Sequence, residues 1–457
     1  MSSKRPFPKR RDSKRPAATL TRRALVLGSV ALAGGGAYLA GSRYMDGTEA
    51  VARPLFGPGI LRRGGSIHTM MNWADLDPAN PARYAWPPFA AQHFAVDPAM
   101  LRAFRQSGLD HIRMTVDPGP FLQATLEQLE QVNDVLLRRC RELIAADFNV
   151  IIDFHPTQQI ARFAPERIVA DQTSEQFHAY TNMLASVARA VKASGETRII
   201  LEMMNEPPYG YDAGSAARWQ KMQSIFLAAV RKENATLPVI LTGACGGGIL
   251  GLQYIDGSAF DDPNIYWSFH YYDPHTFTHQ GVVTSQSNML YYRYLAGIAW
   301  PAAETHLQPT RDLIAARIDT DRAPPDPDRS KLKQQAFAAV DAYVKADYSE
   351  KSIQQDFSKV VAWAEKNNVP PDRIYVGEFG VMRDSSALSG ARANYREAWM
   401  RAVRTAAERR GFAWSLWDIN DTSMGLVEEK NRPALHEGTV HALGLTLPGI
   451  DKLQPKG

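Results

Sequence analysis

The chain has 457 residues, of which 45% are hydrophobic and 22% charged, the composition of an ordinary soluble globular protein with a large core. Its formal charge of +4 is unevenly placed: residues 1 to 23 hold nine basic side chains against Asp12 alone, which leaves the remainder at −4. A mildly acidic body gives no reason to expect nucleic acid or an anionic surface as its partner.

Residues 1 to 20 are basic and rich in Pro and Ser, with nothing to bury, and are expected to be disordered. Thr21-Arg22-Arg23 then precedes an apolar, glycine-containing run to about Gly41, and Ala50-Val51-Ala52 supplies a small-residue cleavage site. Paired arginines ahead of a moderately hydrophobic segment resemble a bacterial twin-arginine export signal. The segment 1–52 is therefore expected to engage the twin-arginine machinery and deliver a periplasmic or extracellular protein. An uncleaved anchor in the inner membrane is the alternative, which Gly28, Gly34, Gly35 and Gly36 disfavour.

From Ile60 onward, short apolar runs alternate with amphipathic segments. Ile60 to His68, His111 to Val116, Asn149 to Pro156, Arg198 to Pro207, Pro238 to Ala244, Ile265 to Tyr272, Arg373 to Gly380 and Phe412 to Ile419 each read as a strand. Stretches such as Leu126 to Asp147, Ser174 to Ala193 and Ser352 to Lys366 are long enough for crossover helices. Eight strands alternating with helices predict an α/β fold, a (β/α)8 TIM barrel, over residues 53 to 457. Cys140 falls on the apolar face of a helix with Leu129, Val132, Leu136 and Leu143, as a small buried hydrophobe; Cys245 follows the fifth strand.

Two insertions break the rhythm. Met70 to Phe94 carries Trp73, Tyr84, Trp86, Phe89 and Phe94, and a long insertion after the sixth strand (273–350) includes Asn288 to Trp300 and the proline-rich Ala323 to Asp328. Both follow strand C-terminal ends, where barrel enzymes keep their active sites, and read as cleft walls; for the distal half of the second, surface elaboration is an equal reading.

The same strand ends present His68, Arg113, His155, Asn205 with Glu206, Cys245, His270 with Tyr272, Glu378, and Trp417 with Asp418. Glu206 and Glu378, two carboxylates on one rim with aromatic neighbours, suggest glycoside hydrolysis: one carboxyl protonates the leaving oxygen, the other attacks the anomeric carbon. Arg113, His270 and Tyr272 are expected to hold Glu378 ionised. Glu206, beside Asn205 and closed in by Pro207, is expected to have its pKa raised. Asn205 suits the sugar 2-hydroxyl, and Trp417 the apolar face of a pyranose.

Asn205-Glu206-Pro207, Gly377-Glu378-Phe379-Gly380, Arg113 in His111-Ile-Arg-Met, His155 in Asp153-Phe-His, His270-Tyr271-Tyr272 and Trp417 together resemble glycoside hydrolase family 5, the cellulase-like retaining barrels of clan A. The match runs over residues 58 to 420. The resemblance implies Glu206 as acid/base, Glu378 as nucleophile, Arg113, His155, Asn205, His270, Tyr272 and Trp417 as the supporting shell, and a two-step covalent mechanism on a β-linked glucan-type glycan. A transglycosylase or an exopolysaccharide-trimming hydrolase is the nearest alternative. Phe277-Thr-His-Gln-Gly281 is also similar to bacterial members, with no role attached.

Rival readings rest on weaker patterns. Gly246 to Gly251 fits G-x-G-x-x-G after a strand, the mark of a nucleotide-dependent oxidoreductase, but Gln253 to Ser258 reads as a turn where a phosphate-binding helix is needed. His270, His275 and His279 match no common ligand spacing, so no metal is expected, and no cofactor. A non-catalytic glycan-binding barrel keeps the aromatics but has no need of both glutamates; a separation beyond about 9 Å would favour it.

Overall fold

The computed structural model describes residues 61–208, 212–284, 286–385, 389–430 and 432–449. The export signal expected over 1–52 lies outside them. Among the described residues no helix is long and apolar enough to cross a membrane.

Eight parallel strands close into a barrel: β1 (Arg63–Met71), β2 (His111–Val116), β3 (Asn149–Phe154), β4 (Ile199–Glu202), β5 (Val239–Thr242), β6 (Ile265–His270), β7 (Ile374–Phe379) and β8 (Ala413–Leu416), with β8 pairing back onto β1. All eight expected strands are present. β1 runs three residues further than expected, and β4 stops at Glu202 rather than at Pro207. The crossovers are α1 (Pro98–Ser107), α2 (Leu126–Ala145), α3 (Glu175–Ser194), α4 (Ala213–Glu233), α5 (Ile249–Tyr254), α6 (Leu307–Thr320), α7 (Asp326–Lys345), α8 (Glu350–Lys366) and α9 (Ala393–Arg409). Local chemistry sets their ends. Asp97, Ser174 and Asp212 cap helix N-termini, Thr125 and Gln128 form a capping box, and Gly108 and Gly195 end α1 and α3 in the left-handed region. The buried face of α2 holds Val132, Leu136, Cys140 and Leu143, as the spacing predicts.

The barrel interior is layered. Leu61, Ile151, Ile200, Ile240, Tyr266, Tyr375 and Ala413 fill the lower end. Side chains two residues on face the same way. The next level therefore holds Asp153, Glu202, Thr242, Ser268 and Ser415, all buried, together with Arg113. Two residues further stand His155, His270 and Trp417. The core thus turns from apolar to ionisable on the way to the C-terminal rim.

The insertion after β6 is largely helical. Asn288 to Trp300 folds around a short 3-10 turn that buries Tyr292, Tyr294, Leu295, Ile298 and Trp300, and α6 and α7 bury Ile314 and Ile318 and Ala336, Val340 and Tyr343. The proline-rich Ala323 to Asp328 turns the chain from α6 into α7. After β1, a two-stranded ribbon (Leu76–Asp77 with Asn80–Tyr84) returns to the barrel through Tyr84, whose N–H donates to Gln123 Oε1 at 2.8 Å.

Candidate active site

Arg113 is the hub. It lies in mid-strand, one level below the rim where the sequence placed it, and is fully buried. Its Nε and Nη2 donate to the two Glu202 oxygens at 2.7 and 3.0 Å, its Nη1 to Glu378 Oε1 at 2.7 Å, and Nη2 also to Asn205 Oδ1 at 2.8 Å; Asp153 Oδ2 lies 3.0 Å away. A rigid fork of five donors is suited to bind several acceptors at once. Glu202 and Asp153 were given no role from sequence. The signal was there: each is a carboxylate inside an otherwise apolar strand, which requires a buried cation.

Glu378 reaches the interior by a skip in β7. Phe269 pairs with Val376 but His270 pairs with Glu378, so Gly377 is an extra residue. A Cβ at Gly377 would lie 2.4 Å from Ser268 Oγ and 3.0 Å from His270 Nε2, which only glycine avoids. Glu378 is 4% exposed; Tyr272 donates its hydroxyl to Glu378 Oε2 at 2.9 Å, and His270 Nδ1 lies 3.6 Å from the same oxygen.

Glu206 follows β4 with φ +38°, a left-handed conformation that costs a non-glycine residue energy and re-aims its side chain. His270 Nδ1 donates to Glu206 Oε1 at 2.9 Å. Desolvation works against the Glu206 charge, but the His270 hydrogen bond and charge outweigh it, so the carboxyl is held below its usual range. The expectation of a raised Glu206 pKa is thereby corrected: its partner is a histidine that nothing in the local sequence indicates. Burial likewise opposes a charge on His270, and Glu378 and Glu206 more than offset it, so its pKa is raised.

One oxygen from each glutamate and one His270 nitrogen lie within 4.8 Å of one another. Three such donors are also a possible cation set. Both Glu378 oxygens, however, are taken by Arg113 and Tyr272, and the adjacent guanidinium repels a cation. His275 and His279 stack on each other and are not among these donors.

The remaining expected residues converge on the same place. Asn205 Oδ1 is fixed by Arg113, so its Nδ2 faces His155 Nε2 at 3.2 Å; His155 then carries its proton on Nδ1, toward Asp153 Oδ2 at 3.0 Å. The Trp417 ring stacks on His155 at 5.4 Å and 16°, half-buried. His68 lies 4.9 Å from Trp417 and accepts the Trp73 indole N–H on Nε2 at 2.8 Å. Trp73 is 53% exposed with φ +51°, an aromatic tied to the rim through His68. Cys245 is buried and forms no disulfide, in the loop after β5. The neighbouring glycines pack against His270, whose N–H donates to Gly247 O at 2.9 Å. A short helix, α5, does follow them, contrary to the turn expected there.

Asp418 accepts the His68 N–H at 3.1 Å and the Asn420 N–H at 2.7 Å. Burial, reinforced by Asp421, pushes its carboxyl up from 3.8 to about 7. Because the folded value lies above the unfolded one, the stabilisation is complete below the unfolded value and is lost as pH rises through the folded one. Asp418→Asn keeps an acceptor oxygen without the charge. Its thermal midpoint relative to wild type is expected to be higher at pH 8 than at pH 4, and a pH-independent difference would contradict the assignment.

The comparisons agree with this geometry. A family model described as "Cellulase (glycosyl hydrolase family 5)" matches residues 79–423. Endoglucanase H of Acetivibrio thermocellus is 24% identical over 347 residues, covering 74% of this chain and 28% of that protein; Endoglucanase 3 of Fibrobacter succinogenes is 22% identical over 368 residues, covering 77% and 50%. The chain thus spans half or less of the length of these two relatives. Among solved structures, cellulose synthase subunit Z of Clostridioides difficile superposes with a TM-score of 0.55 at 19% identity, over 84% of this chain and 99% of that one. Endoglucanase Cel5A of Thermotoga maritima gives 0.54 at 17%, over 84% and 96%, and both likenesses speak to the fold alone. With three quarters of its length matched by the family model on a closed eight-stranded barrel, the chain belongs to glycosyl hydrolase family 5, the cellulase family.

Proposed function

We propose that the protein hydrolyses β-glycosidic bonds of a glucan-type polysaccharide or oligosaccharide with retention of configuration, using Glu378 as nucleophile and Glu206 as acid/base. The carrying observation is the approach of the two carboxylates to within 4.8 Å. It fits the separation of about 5 to 5.5 Å at which one carboxylate attacks directly, rather than the wider gap that admits a water. A barrel that only binds glycan has no use for that approach.

In the first step Glu378 Oε attacks the anomeric carbon, while the proton shared by His270 Nδ1 and Glu206 passes through Glu206 to the departing oxygen. In the second, Glu206 takes a proton from water, the oxygen of that water attacks the anomeric carbon, and the bond to Glu378 breaks. Arg113 and Tyr272 orient Glu378, and Asn205 retains a second Nδ2 hydrogen for the sugar 2-hydroxyl. Trp417 supplies a flat apolar wall backed by His155.

The test is a panel of β-linked glucans, mannans and exopolysaccharides, with product anomers followed by NMR from the first turnover. β-Anomer released first supports the proposal, and α-anomer first overturns it. Longer oligosaccharides accumulating in place of reducing ends would mean that the intermediate passes to a sugar hydroxyl. Export by the twin-arginine route belongs to the same proposal, supported by Arg22-Arg23 ahead of an apolar run. In a bacterial host, Arg22→Lys with Arg23→Lys is expected to leave the protein in the cytoplasm; unchanged export would contradict that route.

A further inference from the structure

Behind Tyr272 lies a segment, Phe277 to Gly281, that the reading above leaves without a task. The fully buried Thr278 hydroxyl donates to the Tyr272 carbonyl at 2.6 Å. The Thr278 carbonyl in turn accepts the N–H of Met382, four residues beyond Glu378, at 2.9 Å. One residue, through its hydroxyl on one side and its main-chain carbonyl on the other, therefore joins the loop that carries Tyr272 to the loop that follows the Glu378 strand. Tyr272 and Met382 also pack together with Met424, and Trp417 leans on the same cluster.

Thr278 has a single hydroxyl proton, and Tyr272 receives it. His279 Nδ1, 2.9 Å from Thr278 Oγ1, must then be the donor of that second contact, which places a proton on Nδ1. Burial pushes its pKa down to about 3, which keeps the ring neutral. The His279 ring stands edge-on to the Tyr272 ring at 5.0 Å and 72°, and His275 covers it from outside at 4.9 Å. The far side of the segment is anchored as well. The Gln280 amide bonds Phe277 O and both the carbonyl and the N–H of Ile298, and the Gly281 N–H donates to Tyr292 O at 2.9 Å.

We propose that Thr278 and His279 are positioning residues for Glu378 that act through Tyr272, gripping the tyrosine by its carbonyl and by its ring so that its hydroxyl meets Glu378 Oε2. The inference rests on Glu378 being the nucleophile. Without the grip, Tyr272 slides with its loop, and a carboxylate with one oxygen unheld spends less time aligned on the anomeric carbon. The insertion after β6 thereby acquires a reason to be packed as it is: it backs the residue that backs the nucleophile.

Thr278→Val keeps the shape and removes the hydroxyl; Thr278→Ser keeps the hydroxyl. The probe is dinitrophenyl deoxyfluoro-β-cellobioside, an activated fluorosugar whose single turnover leaves a label on the nucleophile, located by mass spectrometry. The Val variant is expected to label Glu378 about ten- to a hundredfold more slowly, with KM for the unfluorinated substrate nearly unchanged, and the Ser variant to return to within about threefold of wild type. Labelling of the Val variant at the wild-type rate overturns the proposal, as does a Ser variant no faster than Val. Should Thr278→Val fail to fold, His279→Asn, which retains a donor near the Nδ1 position, is compared with His279→Phe, which retains only a ring; equal labelling rates overturn the proposal. A wild-type protein that hydrolyses glycan yet is labelled elsewhere than Glu378 overturns the nucleophile assignment itself, a result distinct from either of these.

Discussion

Glu378→Ala is expected to lower turnover on every glycoside by at least about ten-thousandfold, since this carboxylate is the group proposed to attack the anomeric carbon. Glu206→Ala should behave differently. On polysaccharide, where the leaving alkoxide needs a proton, the loss is expected to be about a hundred- to ten-thousandfold. On a dinitrophenyl glycoside, whose leaving group departs unaided, the first step should survive and the glycosyl-enzyme should accumulate. Azide, entering the space left by the carboxylate, should then release it as the β-glycosyl azide. A Glu206→Ala enzyme that loses as much on the activated substrate as on polysaccharide, and yields no azide adduct, removes the acid/base role. His270 should modulate the same step, because its Nδ1 contacts the carboxyl of Glu206, the proposed proton donor.

The second large effect is expected at Arg113. Its guanidinium is buried among Asp153, Glu202 and Glu378. Arg113→Met leaves those carboxylates without a counter-charge, at a cost of about 3 to 5 kcal/mol in stability. Arg113→Lys is expected to recover little of this, because one compact ammonium cannot meet acceptors on three strands. Both variants should lose thermal midpoint and turnover together, measured by calorimetry and by labelling of Glu378. Wild-type stability in Arg113→Lys would show that charge alone, without the planar fork, suffices.

The barrel was legible in the sequence because each strand is an apolar run cut by proline, glycine or polar residues, and β2 coincides with its expected bounds. The rim residues were legible for the same reason: His155, Asn205, Glu206, His270, Glu378 and Trp417 stand where such runs stop, and the structure brings them together. Depth was not legible. Whether Arg113 belongs to the rim or to the level below depends on strand tilt and stagger, which one strand does not encode. Partnerships across the barrel were equally hidden: Glu206 and His270 are 64 positions apart, and their contact sets the direction of the Glu206 pKa. The short helix α5 escaped because six residues after a glycine run carry too little periodicity. The helices α6 and α7 escaped because the proline-rich turn between them reads as an open loop.

The skip at Gly377 makes the orientation of Glu378 a question of parity. Counting alternately from Tyr375, an uninterrupted strand would send residue 378 outward, into the greasy space beneath the helices, and only the odd extra position turns it back. Straightening the skip without shortening the strand should therefore turn Glu378 away from the cleft and silence the enzyme while leaving a barrel that still closes, whereas deleting Gly377 itself keeps the glutamate on the inward side. A chimaera that borrows β7 from another barrel will work only if the donor strand hiccups at the same place.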